Sequence, residues 1–395
     1  MKYVIVILDG AAGWPLEQLG GRTTLSAAQT PNLDALVRRG RIGCAQTVPL
    51  GAEPSSAAAC SSILGYDPIV DYIGRGAIEA ASMGIVLEPG QVALRLNLVT
   101  IEDGVMQSYS CGGISTEESN AIVVDIASSL DDGTFRLYPG VAYRHILVVN
   151  AHPELLEVSY TPPHDISDRR VAPYLPKGPG VELLLNYMQR AKPLLENSGI
   201  NRCRIAGGSL GATDLWPFWP GAKPEGLVTM PEKRGVSGAM SSGVDLLNGL
   251  AVLTGMDRLS TAGVTGGSDN DYEAQAVGAL AALDDHDLVV IHVEAPDEEG
   301  HEGNIAGKAE AIEAIDRLVI SRVRERATAG DVRILAMPDH PTPIEIKTHV
   351  GEPVPFVLWG PGIAHNGGSS YDEESATTTG VLLDPGRLVM DELLG

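Results

Sequence analysis

The sequence predicts an α/β protein with a mostly parallel sheet flanked by helices and a smaller α+β domain inserted into it. Three apolar runs carry that prediction: YVIVIL ahead of Asp9, LVVIHVEA ahead of Asp297 and His301, and RILAM ahead of Asp339 and His340. Runs that are apolar at successive positions mark strands buried on both faces, as in parallel sheets. A βαβ rhythm surrounds these runs, and it breaks between residues 83 and 222.

Taken in order, the first strand is followed by WPLEQLGGRTTLSAAQTPNLDALVRRG, where an amphipathic helix begins at Pro31 and stops at Gly40. The stretch TVPLGAEPSSAAACSSILGYDP then supplies a loop and a small-residue helix that starts near Ser55 or Ser56. These segments form the first part of the core, residues 1–82. Residues 83–222 carry the strand-like runs QVALRLNLVT and YRHILVVNA, the Pro-rich TPPHDISDRRVAPYLPKGPG and the helix VELLLNYMQRAKPLLENSG, and read as the insertion. The core resumes over 223–395 with helices at SSGVDLLNGLAVLTG and DYEAQAVGALAAL, the strand LVVIHVEA, the helix IAGKAEAIEAIDRLVISRVRERA and the strand RILAMP.

Composition narrows the function. The chain has 395 residues, with 46 Gly but only 3 Phe and 4 Trp, so its core is expected to be Val, Ile, Leu and Ala on closely packed helices. A formal charge of −23 repels nucleic acid and anionic membrane surfaces, which argues against either as a partner. A small anionic substrate stays compatible, because bound divalent cations and a few arginines reverse the potential inside a cleft. Cys44, Cys60, Cys111 and Cys203 show no CxxC spacing, which argues against a disulfide framework or a thiolate zinc site and fits a reducing cytoplasm. The apolar stretch of MKYVIVILDG is shorter than a signal-peptide core or a membrane span and reads as a strand.

Ligands in open α/β sheets bind outside the carboxyl ends of the strands, so three strands that each end in Asp or Asp-His aim at one place. Asp9, Asp297, His301, Asp339, His340 and His349, with a serine near residue 56, read as one divalent two-metal site. Mixed carboxylate and imidazole ligands without thiolates suit manganese or zinc. Two such ions, about 3.5–4 Å apart, hold both ends of an in-line phosphoryl displacement. A serine hydroxyl at a helix start is a fit nucleophile there, with amide donors beneath the phosphate, although Ser55 or Ser56 taken alone reads more readily as an ordinary N-cap.

The segments TVPLGAEPSSAAACSSILGYDP, GRGAIEAASMGI, YPGVAYRHILV, TPPHDI, HVEAPDEEGHEG and MPDHPTP, followed by TH and EPVPF, run almost end to end. On them the chain resembles the archaeal-type cofactor-independent phosphoglycerate mutases of the alkaline phosphatase superfamily, and the related group proposed to act as homoserine kinases. The resemblance implies an alkaline-phosphatase-like core and a cytoplasmic enzyme of glycolysis and gluconeogenesis that interconverts 3- and 2-phosphoglycerate through a phosphoserine. It implies one metal held by Asp297, His301 and His349 and another by Asp9, Asp339, His340 and the nucleophile Ser56, with manganese expected ahead of zinc. The insertion should act as a lid that excludes water. Arg75, Arg95, Arg144, His145, His164 and Asp165 are candidates for the charged ends of the small phosphorylated substrate.

The chain departs from the family pattern at Ser55, Ala57 and Cys60, where Gly, Asp and Asn are usual, at WPFWPG in place of Trp-Leu-Trp-Gly-Gln-Gly, and at Gln275 in place of Lys. A lost lysine is expected to weaken anion binding. These departures bear on the rival reading, a metal-dependent phosphomonoesterase or a phosphotransferase to a small alcohol such as homoserine. No GxxxxGK[ST] loop is present, so ATP use needs another phosphate grip. A metal-binding scaffold without catalysis is the third reading, disfavoured because every expected ligand is present.

Overall fold

A computed structural model describes residues 1–395. The chain divides into two compact units, one of residues 1–72 with 227–395 and one of residues 73–226. In chain order the strands are β1 (Lys2–Leu8), β2 (Arg41–Ala45), β3 (Gln91–Glu102), β4 (Val105–Ser108), β5 (Phe135–Val141), β6 (Arg144–Asn150), β7 (Asp214–Gly221), β8 (Gly238–Ser241), β9 (Asp257–Leu259), β10 (Leu288–Val293), β11 (Val332–Met337), β12 (Val354–Trp359) and β13 (Leu382–Leu383).

The first unit is built on an eight-stranded sheet of order β13-β2-β12-β11-β1-β10-β8-β9. β1 is central, parallel to β10 on one side and to β11 on the other, and only β12 runs antiparallel to its neighbours. β10 is buried at every position and β1 over its last five residues, which is why these runs show no polar alternation. Valine, isoleucine, leucine and alanine from β1, β10, β11 and the flanking helices make up most of one continuous core, as the scarcity of Phe and Trp requires. The long helical run after His301 is interrupted by a π-helical turn at Ile315–Ile320. There Asp316 accepts from the backbone N–H of Asn32 and Leu33, satisfying the open first turn of the helix Pro31–Val37.

The second unit is an antiparallel sheet of order β4-β3-β6-β5, with β7 paired to β3, and it carries the helices Thr116–Leu130 and Val181–Asn197. Its own core joins β3, β5, β6 and both helices. The unit starts at Ile73, ahead of the sequence-based boundary at residue 83, because the helix Arg75–Ser82 packs on β3 and β7. Glycines permit that approach. A Cβ on Gly76 would meet the carbonyls of Ala93 and Trp219, and one on Gly221 would meet the backbone of Gly74 and Ala77.

Because each unit has a separate core, damage to one should spare the other. Leu147→Ala removes a fully buried side chain from the second core. It is expected to cost about 2–5 kcal/mol in denaturant unfolding followed by a probe in residues 73–226. Metal content of the native variant, measured by elemental analysis, should be unchanged.

Candidate metal centre

The register of the first sheet assembles the site. Leu8 pairs with Val293 of β10 and Ile7 with Met337 of β11, so the segments that follow all three strands leave the sheet along one edge. Asp9 follows β1 directly, Asp339 lies just beyond β11, and Asp297 sits in the first turn of the helix Ala295–Glu302 after β10. Asp297 and His301 are four residues apart on that helix, which brings Asp297 Oδ2 within 3.1 Å of His301 Nε2. His349 arrives from the segment after β11 and places Nε2 3.5 Å from Asp297 Oδ1.

The second group lies alongside. His340 Nε2 is 3.6 Å from Asp9 Oδ1, 3.3 Å from Asp339 Oδ2 and 3.2 Å from Ser56 Oγ. Asp9, Asp339 and His340 are fully buried. The rings of His340 and His349 are 4.1 Å apart, so the two groups adjoin.

Three observations show that these donors fit divalent cations. His301 Nδ1 lies 2.9 Å from the Lys347 carbonyl and His349 Nδ1 3.4 Å from that of Pro54, which in the neutral rings puts the proton on Nδ1 and the lone pair on Nε2. Those two Nε2 atoms face each other at 2.9 Å, an arrangement of lone pairs that calls for a positive charge between them. Asp9 Oδ1 is buried without a hydrogen-bond partner and is aimed at the second group.

Charge crowding explains the electrostatics. Burial, followed by the carboxylates of Asp339, Glu294 and Asp297, pushes Asp9 well above the ordinary carboxylate range. Burial also opposes ionisation of Asp297, but with protons rather than a cation on Nε2 of His301 and His349 the hydrogen bonds from these rings outweigh it and hold this carboxyl well below that range. The bond to Asp297 raises His301 to about 9.

The two serines separate by role. Ser55 caps the helix Ser56–Ile63, accepting from Ala58 N–H, while Ser56 begins the helix and turns its hydroxyl to His340. Cys60, on the same helix, donates its thiol to Asp339 Oδ2 at 3.7 Å.

Residues that the sequence does not single out hold these ligands in place. Asp339 Oδ1 accepts from the N–H groups of Gly10 and His340, leaving Oδ2 toward the site. Thr342 donates to Asp297 Oδ1. His292 Nε2 donates to Asp9 Oδ2 at 2.7 Å, and its Nδ1 is fixed by Ser242 Oγ at 3.0 Å. Lys308 is wholly buried and ties two loops, donating to Ala12 O and Thr342 O, while burial lowers it to about 8. The available signal for His292 was a polar residue inside an otherwise apolar buried strand. Gly10 has φ +60°, and a Cβ there would strike Asp297 and Thr342, so only glycine serves after Asp9.

The substrate candidates lie in the second unit and divide into two sets. Arg75 Nε and Arg95 Nη1 both bond Glu79 Oε1, at 2.9 and 2.8 Å. His164 packs edge-on against Trp219 and Phe218, and the exposed Arg144 lies by Tyr143. Asp165 is exposed, 3.7 Å from His164. His145 is placed elsewhere: it is buried, with Nε2 on Ser119 Oγ at 2.8 Å and Nδ1 accepting from Gly140 N–H at 3.1 Å. Both nitrogens are spent on the fold, and burial depresses it to about 3. Gln275, where the family pattern has Lys, also serves the fold. Its buried amide donates to the carbonyls of Ser241 and His292, clamping the ends of β8 and β10.

Fold and site together define an α/β protein with a buried carboxylate-imidazole centre beside a helix-borne serine. A family model described as 2,3-bisphosphoglycerate-independent phosphoglycerate mutase matches residues 37–201. A protein of that name from Methanosarcina acetivorans is 41% identical, covering 100% of this chain and 99% of its own. Two solved structures are each 28% identical over 100% of this chain. One is a protein of Pyrococcus horikoshii, 96% covered with a TM-score of 0.84. The other is the cofactor-independent phosphoglycerate mutase of Thermoplasma acidophilum, 99% covered with a TM-score of 0.70. The chain belongs to the 2,3-bisphosphoglycerate-independent phosphoglycerate mutase family.

Two outcomes are expected from this geometry. His292→Ala frees Asp9 Oδ2 and should weaken metal binding by about 10–100-fold in a chelator competition titration, with the fold retained by circular dichroism. His145 holds its full contribution to stability above its ordinary value of 6.5, because the unfolded chain takes up a proton below that pH and the folded chain refuses it down to about 3. Unfolding free energy should therefore fall by about 1.4 kcal/mol per pH unit between those limits from this group, and His145→Gln should remove that slope in denaturant titrations at pH 7 and pH 5.

Proposed function

We propose that this chain interconverts 3-phosphoglycerate and 2-phosphoglycerate through a phosphoserine at Ser56. The observation that carries the reading is the Ser56 hydroxyl at a helix start, 3.2 Å from His340 Nε2 and beside the Asp9 and Asp339 carboxylates. Asp297, His301 and His349 are assigned to one divalent ion and Asp9, Asp339, His340 and Ser56 to the other, with manganese ahead of zinc because the donors are carboxylate and imidazole. When bound, the two ions neutralise the phosphoryl oxygens and acidify the attacking hydroxyl.

In the forward direction Ser56 Oγ forms a bond to phosphorus and loses its proton, the bond from phosphorus to the 3-oxygen breaks, and that oxygen takes up a proton. Glycerate stays bound and turns. Its 2-hydroxyl then attacks the phosphoserine, yielding 2-phosphoglycerate and returning a proton to Ser56. The open amides at the start of the helix Ser56–Ile63 favour phosphate on Ser56. We assign recognition of the substrate's charged ends to Arg75, Arg95, Arg144, His164 and Asp165, and water exclusion to the second unit, since water reaching the phosphoserine turns a mutase into a phosphatase.

Phosphorus NMR of the manganese-loaded protein with 3-phosphoglycerate tests the reading. Growth of 2-phosphoglycerate without matching free phosphate is expected; free phosphate alone makes the chain a phosphomonoesterase, and no change directs attention to acceptors such as homoserine. Ser56→Ala should abolish transfer while keeping the fold, and Ser55→Ala should lose no more than the stability of a helix cap, about 0.5–2 kcal/mol. Equal loss of activity in both breaks the assignment of the nucleophile.

A further inference from the structure

We propose that Trp219 is a specificity-determining residue, whose indole covers the paired guanidiniums of Arg75 and Arg95 and leaves them open only at their edges to a carboxylate. The inference rests on the reading above that these arginines take the substrate's charged end.

Trp219 is the extra residue of a β-bulge. Leu94 of β3 faces Pro220 and the next residue, Arg95, faces Phe218, so Trp219 has no partner in the ladder. Its φ is +46°, a left-handed conformation that bulky residues rarely adopt. Bulges re-aim a side chain beside a functional site, and a disfavoured backbone is retained where that side chain does something.

The indole touches every basic group of the cluster except Arg144. The Arg75 guanidinium lies 3.9 Å over the ring and that of Arg95 5.5 Å away, and the His164 ring centre is at 5.6 Å. Glu79 holds part of the N–H edge, with one oxygen accepting from both arginines. A guanidinium held in this way has one face covered by the indole and its heading set by Glu79, so an anion meets the N–H groups that Glu79 leaves free, in the plane of the fork. Arg95 is nine-tenths buried and its Nε has no partner, so donor capacity remains within the cluster. A flat carboxylate suits an in-plane edge. A purely structural Trp219 would serve only to pack on Phe218, 4.7 Å away.

The test is calorimetric binding to the full-length, manganese-loaded chain carrying Ser56→Ala, which prevents turnover. The probes are 3-phosphoglycerate and glycerol 3-phosphate, which lacks the carboxylate. Added Trp219→Gly is expected to raise the Kd of 3-phosphoglycerate about tenfold, leave that of glycerol 3-phosphate within about twofold, and hold the thermal midpoint, since glycine accepts the left-handed backbone. Trp219→Phe, which keeps an aromatic face, should restore most of the preference. Equal weakening of both ligands, or a fall in midpoint without change in preference, assigns Trp219 to packing and overturns the proposal. Unchanged binding in Trp219→Gly, with carboxylate preference lost in Arg75→Ala or Arg95→Ala, overturns it too but leaves the anion assignment standing. If those arginine variants also keep the preference, the assignment beneath the proposal falls with it.

Discussion

The structure depends on a concentration of negative charge where β1, β10 and β11 end. Asp9, Glu294, Asp297 and Asp339 act on one another across a buried space, and water cannot screen carboxylates that it does not reach. A chain that brings these groups together needs positive charge in the same place. The imidazoles of His301 and His349 supply it as protonated rings or, when neutral, hold it as a divalent cation on Nε2. Folding and cation binding are therefore linked.

Much of the surrounding structure serves to keep the carboxylates from turning away. Three of the four have an oxygen engaged from behind: Asp9 Oδ2 by His292, Asp297 Oδ1 by Thr342, and Asp339 Oδ1 by two backbone N–H groups. The other oxygen is thereby directed forward. Lys308 adds a buried cation between the loops that follow β1 and β11 and offsets part of the repulsion without entering the site. The same logic explains Gly10, since a side chain there would occupy the space where Asp297 and Thr342 meet.

The convergence of Asp9, Asp297 and Asp339 was legible in the sequence because three apolar runs with acids at their ends imply parallel strands, and parallel strands share a carboxyl edge. That argument needs no distant contact. The supporting shell was less legible: Thr342 becomes relevant only once β11 lies beside β1, and His145 and Gln275 read as positions for anion contacts until their burial is seen. The start of the second unit was misplaced by the sequence because the helix Arg75–Ser82 reads as a continuation of the core, whereas packing on β3 and β7 decides where it belongs. Ser55 and Ser56 are indistinguishable as letters at a helix start. What separates them is the turn of one hydroxyl toward the amide of Ala58 and of the other toward His340.

The departures around Ser56 also acquire a physical meaning. Cys60 keeps a donor directed at Asp339 Oδ2, so a weak S–H contact holds a position where an amide is usual in the family. Ala57 presents no side-chain donor or acceptor, so the Ser56 hydroxyl has no polar neighbour in the next residue to compete for it. Ser55 keeps its side chain on the backbone of the first helical turn. None of the three changes removes a ligand. They alter what surrounds the Ser56 hydroxyl while leaving in place the carboxylates and imidazoles beside it, so the helix start changes its neighbours without changing its approach to His340.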